Sequence, residues 1–306
     1  MLDVQPRTPH WPAIDGDFWR IGTFPDLGEL DGGLTQEVVD HAIFRSSDGK
    51  WHLWACVRGT AIGRLIYRWE GESLDRGPWE PMGIAMRAEA RYGESLNDWF
   101  NEEWIQSPYV IAAGGTYYMF YGGHNTGTGI CQICLATSSD GRAFQRHINA
   151  QGFSRVFVGP GEARDPMVLQ VGERYYCYYC GHDPGRRAPC KVFCRTSDDL
   201  INWSEPRTVA WGGHASGTGP WSAECPFVVY YDGYYYLFRT SEYRSPARTH
   251  VYRSEDPFDF GLGHDGKWLT TLRVAAPEIA RIGEQYYIST VEDLRGGVQL
   301  ARLKWL

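Results

Sequence analysis

The sequence has no run of about 18 apolar residues, the length that a helix needs to cross the hydrocarbon core of a bilayer. It therefore predicts no transmembrane helix and no membrane partner. The first residues, from Met1 to Pro12, are polar and contain proline, and they lack the apolar core of a signal peptide. These two absences lead us to expect a cytoplasmic protein.

Basic residues do not outnumber acidic ones, since 30 Lys and Arg face 37 Asp and Glu and the formal net charge is −7. Nucleic-acid binding depends on clustered Lys and Arg that neutralise phosphates, so this balance argues against a nucleic-acid partner. No stretch is dominated by the 36 Gly or the 17 Pro, which would mark a linker or a low-complexity segment. Residues 1–306 are therefore expected to form a single domain.

Helical periodicity is also missing, because no segment longer than a few residues keeps its apolar positions at a period near 3.6. What the chain has instead is a repeat. A strand start, often followed by Pro, leads to an apolar strand, a turn with Gly or Asp, and an aromatic strand. In four copies a Tyr falls nine residues after the Pro; the pairs are Pro108 and Tyr117, Pro166 and Tyr175, Pro226 and Tyr235, and Pro277 and Tyr286. A looser first copy runs through residues 40–44 and 48–54.

Each copy has the turn chemistry and the aromatic strand of a β-hairpin, and further strand candidates follow it. Five sets of about four strands predict an all-β fold, a five-bladed β-propeller, because radial repetition of four-stranded sheets builds that architecture. Residues 297–305 are then an outer strand of the last blade, and residues 1–30 an N-terminal segment that packs on the propeller. A β-sandwich or a β-helix is the alternative, although a sandwich has no need for five equivalent hairpins.

The eight cysteines include two C-x-x-C pairs, Cys131 with Cys134 and Cys177 with Cys180. Both pairs fall in predicted strands, where residues i and i+3 point to opposite faces, so one metal ion cannot easily take both thiolates. We expect reduced, buried thiols and no zinc site.

The first strand of each blade lines the central channel of a propeller, and the residues at the starts of these strands converge on one mouth. We call these five residues the blade-start positions; they are Asp40, Ser107, Asp165, Cys225 and Ala276. Glu224 directly precedes Cys225, so three acids lie at or next to these positions. Such an Asp can be a turn residue that caps its own backbone. Three acids in register with a repeat favour a catalytic site instead.

Hydrolysis of a glycosidic bond needs one carboxylic acid that protonates the leaving oxygen and one carboxylate that attacks or activates water. Carboxyls that lie close together raise one another's pKa, which keeps one of them protonated. We therefore predict Asp40, Asp165 and Glu224 as the catalytic residues.

Two tripeptides carry a family resemblance. Arg164-Asp165-Pro166 and Glu224-Cys225-Pro226 resemble signature motifs of glycoside hydrolase family 32, and the layout of Asp40, Asp165 and Glu224 resembles that of glycoside hydrolase family 43. The resemblance covers residues 37–306, and both families are five-bladed propellers that act on furanosides or xylosides.

The resemblance implies a role for each acid. Asp40 matches the nucleophile of a family-32-like enzyme or the general base of a family-43-like one. Asp165 matches the transition-state stabiliser or pKa modulator, Glu224 the general acid, and Arg164 a residue that hydrogen-bonds sugar hydroxyls.

The sequence departs from both families. Val-Asp-His-Ala at residues 39–42 replaces the first family-32 motif. Family-43 members often carry a His in the last blade that supports a central metal, whereas residues 274–278 read Val-Ala-Ala-Pro-Glu. We therefore expect no metal and no cofactor.

Other side chains are weaker candidates for substrate binding. Four tryptophans could stack on sugar faces or pack between blades: Trp54, Trp104, Trp211 and Trp221. Of these, Trp104 is the best placed, just ahead of a first strand. His41, beside Asp40, could bind a hydroxyl or serve a structural role. Glu278 could form a fourth acidic wall.

The sequence thus predicts a glycoside hydrolase that cleaves a furanoside or xyloside bond in an oligosaccharide or glycoside substrate. A non-catalytic carbohydrate-binding propeller is one alternative. A glycoside phosphorylase of similar fold is another, and it would need inorganic phosphate and a cationic site to hold it.

Overall fold

A computed structural model describes residues 10–94, 96–97, 102–125, 128–184, 188–215, 217 and 219–306. In this part of the chain the strands form five separate small sheets arranged around one axis, which confirms the predicted five-bladed β-propeller. Short 3-10 helices occur at Gly28–Leu30, Gly33–Thr35, Ala90–Tyr92 and Gly213–Ala215.

The strands follow the repeat in chain order. The first is β1 (Pro12–Gly22). Blade 1 contains β2 (Glu37–Arg45), β3 (Trp51–Thr60), β4 (Gly63–Gly71) and β5 (Glu80–Met86), together with the two-residue strands β6 (Leu96–Asn97) and β7 (Glu102–Glu103). Blade 2 contains β8 (Ile105–Ala113), β9 (Thr116–His124), β10 (Cys131–Ser138), β11 (Gln145–Arg146) and β12 (Arg155–Val158).

The last three blades have four strands each. Blade 3 contains β13 (Arg164–Val171), β14 (Arg174–Gly181), β15 (Lys191–Ser197) and β16 (Arg207–Ala210). Blade 4 contains β17 (Glu224–Tyr231), β18 (Tyr234–Glu242), β19 (Arg248–Ser254) and β20 (Trp268–Leu272). Blade 5 contains β21 (Ile279–Ile282), β22 (Gln285–Thr290), β23 (Val298–Trp305) and the distant β1.

The first two strands of every blade form the predicted hairpin. In blade 4, Asp232 and Gly233 both adopt positive φ, 46° and 84°, at the turn between β17 and β18. Two consecutive residues of positive φ make the turn whose twist matches that of the flanking strands, which explains an Asp-Gly pair at this point.

Blade 5 is closed by the two ends of the described chain. Strand β1 pairs antiparallel with β23, from Pro12 opposite Trp305 to Gly22 opposite Val298. Strand β23 is therefore the third strand of its blade, not the outer one as the sequence suggested. Without a partner, the outer edge of β23 would expose a row of unpaired backbone N–H and C=O groups. Strand β1 supplies the hydrogen-bond partners of these groups.

Large apolar side chains fill the space between neighbouring blades. Tyr231 of blade 4 stacks on Trp305 of blade 5 with ring centroids 4.4 Å apart. All eight cysteines are unpaired thiols, and seven of them are buried. No helix among the described residues is long and apolar enough to cross a membrane.

Candidate active site

All five blade-start positions adopt left-handed backbone conformations. Their φ angles are 26° at Asp40, 49° at Ser107, 56° at Asp165, 50° at Cys225 and 44° at Ala276. In the first four, the pairing of the first two strands also shifts register at this point. Such a bulge turns a side chain away from the regular alternation of a strand.

As a result, these side chains converge, as predicted. All five line one narrow channel at the centre of the molecule. Asp40 and Asp165 also line a cavity of about 630 Å³, and Glu224 is part of its wall. The structure thus brings the three predicted carboxyls together, although they lie on the first strands of three different blades.

Asp40 is half-buried, and both of its carboxyl oxygens have hydrogen-bond partners. The hydroxyl of Ser107 lies 2.9 Å from Oδ2. On the other side, the Tyr243 hydroxyl and the Cys225 thiol each lie 3.3 Å from Oδ1. These donors hold the carboxyl in one orientation at the cavity wall.

Asp165 is buried behind Asp40, with 6% of its surface exposed. Its Oδ1 lies 2.9 Å from the Ser107 hydroxyl, and its Oδ2 accepts from Arg164 Nη1 at 3.3 Å and from the Cys225 N–H at 3.4 Å. Burial raises the pKa of Asp165, the Arg164 cation opposes this shift, and the nearby Asp40 reinforces it.

Glu224 is the first residue of β17, and its side chain is 19% exposed. Burial raises the pKa of Glu224 to about 8; the Arg164 cation opposes the shift, and the charges of Asp165 and Asp40 add to it. A carboxyl with this pKa is protonated at neutral pH, which is the state that a general acid requires.

Arg164 holds the acids in place. Its buried guanidinium donates to Glu162 Oε1 at 2.8 Å, to Asp165 and Glu224, and to the carbonyl oxygen of Pro220. Because so many of its N–H groups are already engaged, Arg164 serves Glu224 and Asp165 more directly than it serves a substrate. It also lines the cavity, and the hydrogen bond to sugar hydroxyls that the resemblance implied stays a prediction.

A comparison with known families supports this geometry. The family described as "Glycosyl hydrolases family 43" matches residues 72–294, which is most of the chain and includes Asp165 and Glu224. The chain belongs to glycosyl hydrolase family 43. The predicted likeness to families 43 and 32 is thereby confirmed.

One curated relative of this family-43 chain is a probable arabinan endo-1,5-alpha-L-arabinosidase C from Aspergillus niger. The two are 24% identical over 220 residues, which cover 71% of this chain and 62% of the relative. The match thus spans less than two thirds of that protein.

Solved structures show the same fold at low identity. A thermostable family-43 glycoside hydrolase superposes with a TM-score of 0.62 at 19% identity, covering 90% of this chain and 91% of its own. An exo-1,5-alpha-L-arabinanase from a bovine ruminal metagenomic library gives 0.59 at 18%, covering 88% and 94%. The GH32 beta-fructofuranosidase of Bombyx mori gives 0.61 at 16%, covering 92% and 60%.

The family raises the question of a central metal, which the residues do not fit. No group of three or more His, Cys, Asp or Glu side chains in the described ranges is arranged to hold a metal ion. In the narrow channel, His41 Nε2 lies 2.7 Å from the Ser289 hydroxyl, and burial lowers the pKa of His41 to about 4. The other ring nitrogen, Nδ1, is buried without a hydrogen-bond partner, but a single nitrogen does not make up a ligand set for a metal ion.

His41 and Glu278 lie in the narrow channel and not in the cavity wall. Both were predicted to bind substrate. His41 is 3% exposed and hydrogen-bonded to Ser289, which favours the structural role that the sequence left open. Glu278 lies two residues beyond Ala276 and lines the same narrow channel.

Trp54 was a candidate for stacking on a sugar or for packing between blades, and the structure places it between blades. Its ring is 2% exposed and packs against Phe44 and Phe144 between blades 1 and 2. Residues at alternate positions of a strand face opposite sides, and Trp54 points into the blade interface. It therefore has no face available to a sugar.

Trp104 does line the cavity, but its ring is covered. The Arg64 guanidinium lies 3.6 Å from the ring centroid, and the His124 ring stacks on it at 4.2 Å with planes 13° apart. Two flat groups so close to one ring cannot share a face, so they cover both. Its Nε1–H donates to Gln106 at 3.0 Å, so Trp104 orders the cavity wall and offers no stacking surface.

Trp221 is the exposed aromatic residue of the cavity. Its side chain is 70% exposed, and it lies three residues before Glu224 on the chain. Sequence reasoning noted this residue but ranked Trp104 above it. The distinction depends on the Arg64 and His124 side chains, which come from other strands.

Sequence reasoning missed several residues of the cavity wall. Tyr243 follows β18 and carried no motif. Glu37 binds Arg58 and Arg244 at 2.7 and 2.6 Å, which fixes two further cationic side chains at the wall. Ser107 was recognised only as a blade-start position, with no role assigned.

Proposed function

We propose that this chain is a glycosidase that hydrolyses the bond of a furanoside or xyloside, with Asp40, Asp165 and Glu224 as its catalytic residues. The observation that carries the proposal is the convergence of three carboxyls from three blades at one cavity, with different burial and different hydrogen-bond partners. Membership of glycosyl hydrolase family 43 supports the reaction class.

Glu224 is the general acid. It is protonated below about pH 8, and it forms part of the cavity wall, so its proton can pass to the oxygen of the leaving group. Asp40 is the general base, because it is the half-buried carboxyl that lines the cavity from blade 1. It would activate a water molecule that attacks the anomeric carbon on the opposite face.

Asp165 acts on the other two carboxyls. It is more deeply buried than either, and it shares with Glu224 the Arg164 guanidinium, the cation that opposes the raised pKa of Glu224. This position supports the role of pKa modulator rather than that of a group that reacts with the sugar.

The cavity suits a short substrate. Its volume of about 630 Å³ is in the range of about 300–1,000 Å³ that small-molecule sites occupy. Trp221 provides an exposed ring at its wall for a sugar face. The names of two relatives favour arabinan-derived oligosaccharides, and the size of the cavity favours removal of one sugar at a time.

A substrate panel tests the proposal. Nitrophenyl α-L-arabinofuranoside, β-D-xyloside and β-D-galactofuranoside, short arabinan and xylan oligosaccharides, and sucrose are incubated with wild type and with Asp40→Asn, with and without inorganic phosphate. We expect phosphate-independent release of a pentose from at least one substrate, lost by at least about a hundredfold in Asp40→Asn. Proton NMR of the first-formed product should show an inverted anomer.

Three other outcomes would contradict the proposed hydrolase or its catalytic residues. Turnover that depends on phosphate and yields a sugar phosphate identifies a phosphorylase. Sugar binding by calorimetry without turnover identifies a binding propeller. Activity that survives in Asp40→Asn removes Asp40 from the mechanism.

A further inference from the structure

Ser107 occupies the blade-start position of blade 2, between the acids of blades 1 and 3. Its hydroxyl lies 2.9 Å from Asp40 Oδ2 and 2.9 Å from Asp165 Oδ1, and the residue is 5% exposed. A single buried oxygen thus lies at hydrogen-bonding distance from two carboxyls.

A serine hydroxyl has one hydrogen, so it can donate to only one of the two carboxyls. If both were ionised, the second contact would place an oxygen lone pair against a negative oxygen at 2.9 Å. Two hydrogen bonds at this distance therefore require one carboxyl to carry a proton and to donate it to Ser107.

The surroundings decide which carboxyl carries the proton. The Tyr243 hydroxyl and the Cys225 thiol each lie 3.3 Å from Asp40 Oδ1 and 2.8 Å from each other, so one of them donates to the other and one hydrogen remains for Asp40. The remaining contacts of Asp165, from Arg164, Gln106 and the Cys225 N–H, are of similar length at 3.3 to 3.4 Å. Burial separates the two carboxyls, because Asp165 is 6% exposed whereas Asp40 is half-buried, and burial favours the neutral form. Burial and the charge of Asp40 also raise the pKa of Asp165, against the opposing Arg164 cation.

We propose that Ser107 is a positioning residue that accepts a hydrogen bond from a protonated Asp165 and donates its own to an ionised Asp40. The link fixes which of the two carboxyls is the free base. This inference rests on the proposed function for its kinetic consequence, whereas the proton distribution itself can be measured without any substrate.

Other groups also influence these two carboxyls. Asp40 is faced by Arg58 from β3, by Glu224 and Cys225 from β17, and by Tyr243 beyond β18. The neighbouring His41 is neutral, because burial lowers its pKa to about 4. Asp165 is faced by Arg164 on its own strand and by Glu224.

Four buried thiols surround the pair: Cys56, Cys131, Cys180 and Cys190. All of these groups remain when Ser107 is changed, so a single substitution isolates the hydroxyl.

The kinetic test compares Ser107→Ala with Ser107→Gly. Both remove the hydroxyl, but only Gly relaxes a φ of 49°. Asp40 loses a donor to its ionised form in both variants, so the acid limb of the kcat/KM profile should move to higher pH by about one unit. Ala276→Gly is the matched control, because it changes another blade-start position that contacts neither acid, and its acid limb should stay in place.

A substrate-free measurement accompanies it. Protein labelled with ¹³C at the Asp carboxyls is titrated by NMR, with Asp40→Asn and Asp165→Asn for assignment. In the wild type, Asp165 should remain protonated at pH values where Asp40 is already ionised. In Ser107→Ala the two titrations should approach each other.

The two readouts separate the possible failures. The proposed hydrogen bonds of Ser107 are overturned if Asp165 is ionised at those pH values. They are also overturned if Ser107→Ala leaves the acid limb of the kcat/KM profile unchanged. A shift in the Ala276→Gly control of equal size also overturns them, because the effect would then be one of backbone geometry. If no substrate in the panel is turned over, the proposed function fails, and the titration still decides the proton distribution.

Discussion

Blades 1 and 3 carry an Asp at the blade-start position, whereas blade 5 carries an Ala, yet the backbone is equally unusual in all three. The φ angles are 26° at Asp40, 56° at Asp165 and 44° at Ala276. Positive φ at a residue other than Gly is a form of strain often found at active sites. Here it also occurs at Ala276, whose N–H donates to Thr240 Oγ1 and whose methyl group has no chemistry.

The difference shows that the strain belongs to the propeller and not to catalysis. Every blade turns one residue near the start of its first strand toward the axis, and the fold imposes that conformation whatever the side chain. A carboxyl placed at such a position is held rigidly without any further cost in backbone geometry. The catalytic acids therefore use a conformation that the fold supplies five times.

The largest expected effect is a loss of activity that depends on the leaving group in a Glu224 variant of blade 4 and not in an Asp40 variant of blade 1. Glu224→Gln should lower kcat/KM by about a thousandfold on an oligosaccharide, whose leaving group needs a proton. On a nitrophenyl glycoside the loss should be at least about tenfold smaller, because nitrophenolate leaves without protonation. Steady-state kinetics on the two substrate types measures the contrast.

Asp40→Asn is the matched control for this contrast, since its loss should be similar on both substrates. If Glu224→Gln were equally impaired on both, Glu224 would not be the general acid.

The second prediction concerns pH. Glu224 must be protonated to act, and burial raises its pKa to about 8, so activity should be retained below that pH and fall about tenfold per unit above it. Arg164 opposes the shift, so Arg164→Lys, a weaker partner for two carboxyls, should move the basic limb upward. A basic limb near the ordinary pKa of a Glu would contradict the proposed state of Glu224.

The smallest effect concerns stability at the same positions. Asp40→Asn removes one of three close carboxyls and keeps a residue type that tolerates positive φ, so the free energy of unfolding should rise by about 1 kcal/mol. In Ala276→Gly, relief of about 1 kcal/mol of strain is offset by the loss of a buried methyl worth about 0.8 kcal/mol. Urea denaturation should therefore separate the first variant from wild type and not the second.

A drop in stability in Asp40→Asn would mean that the carboxylate holds its blade together. The blade-start positions would then differ in structural importance as well as in chemistry.

The features that could be predicted from the sequence are those that the repeat encodes locally. The recurring Pro and Tyr positions located four of the five hairpins, and the looser first copy was placed by its similarity to them; the register of these copies identified the blade-start residues. Because equivalent residues of a propeller face one axis, Asp40, Asp165 and Glu224 could be placed together although they are far apart in the chain.

What could not be predicted depends on contacts between blades. The ring of Trp104 looks available in the sequence, but Arg64 from β4 and His124 from β9 cover it. Trp54 lies in a strand with no local sign of which face meets the neighbouring blade. The role of Ser107 follows only from the positions of two acids on other blades.

The pairing of β1 with β23 has a consequence for the order of folding. Strand β1 leaves the ribosome long before its partner β23 exists, so blades 1 to 4 can form while β21, β22 and β23 of blade 5 are still missing. A contact between residues so far apart in sequence is slow to form, since the chain must first close a very long loop. Closure of the propeller is thus expected late in folding. A chain that stops before β23 leaves β1 and β22 without their shared partner, and each then exposes an unpaired strand edge that can pair with another chain.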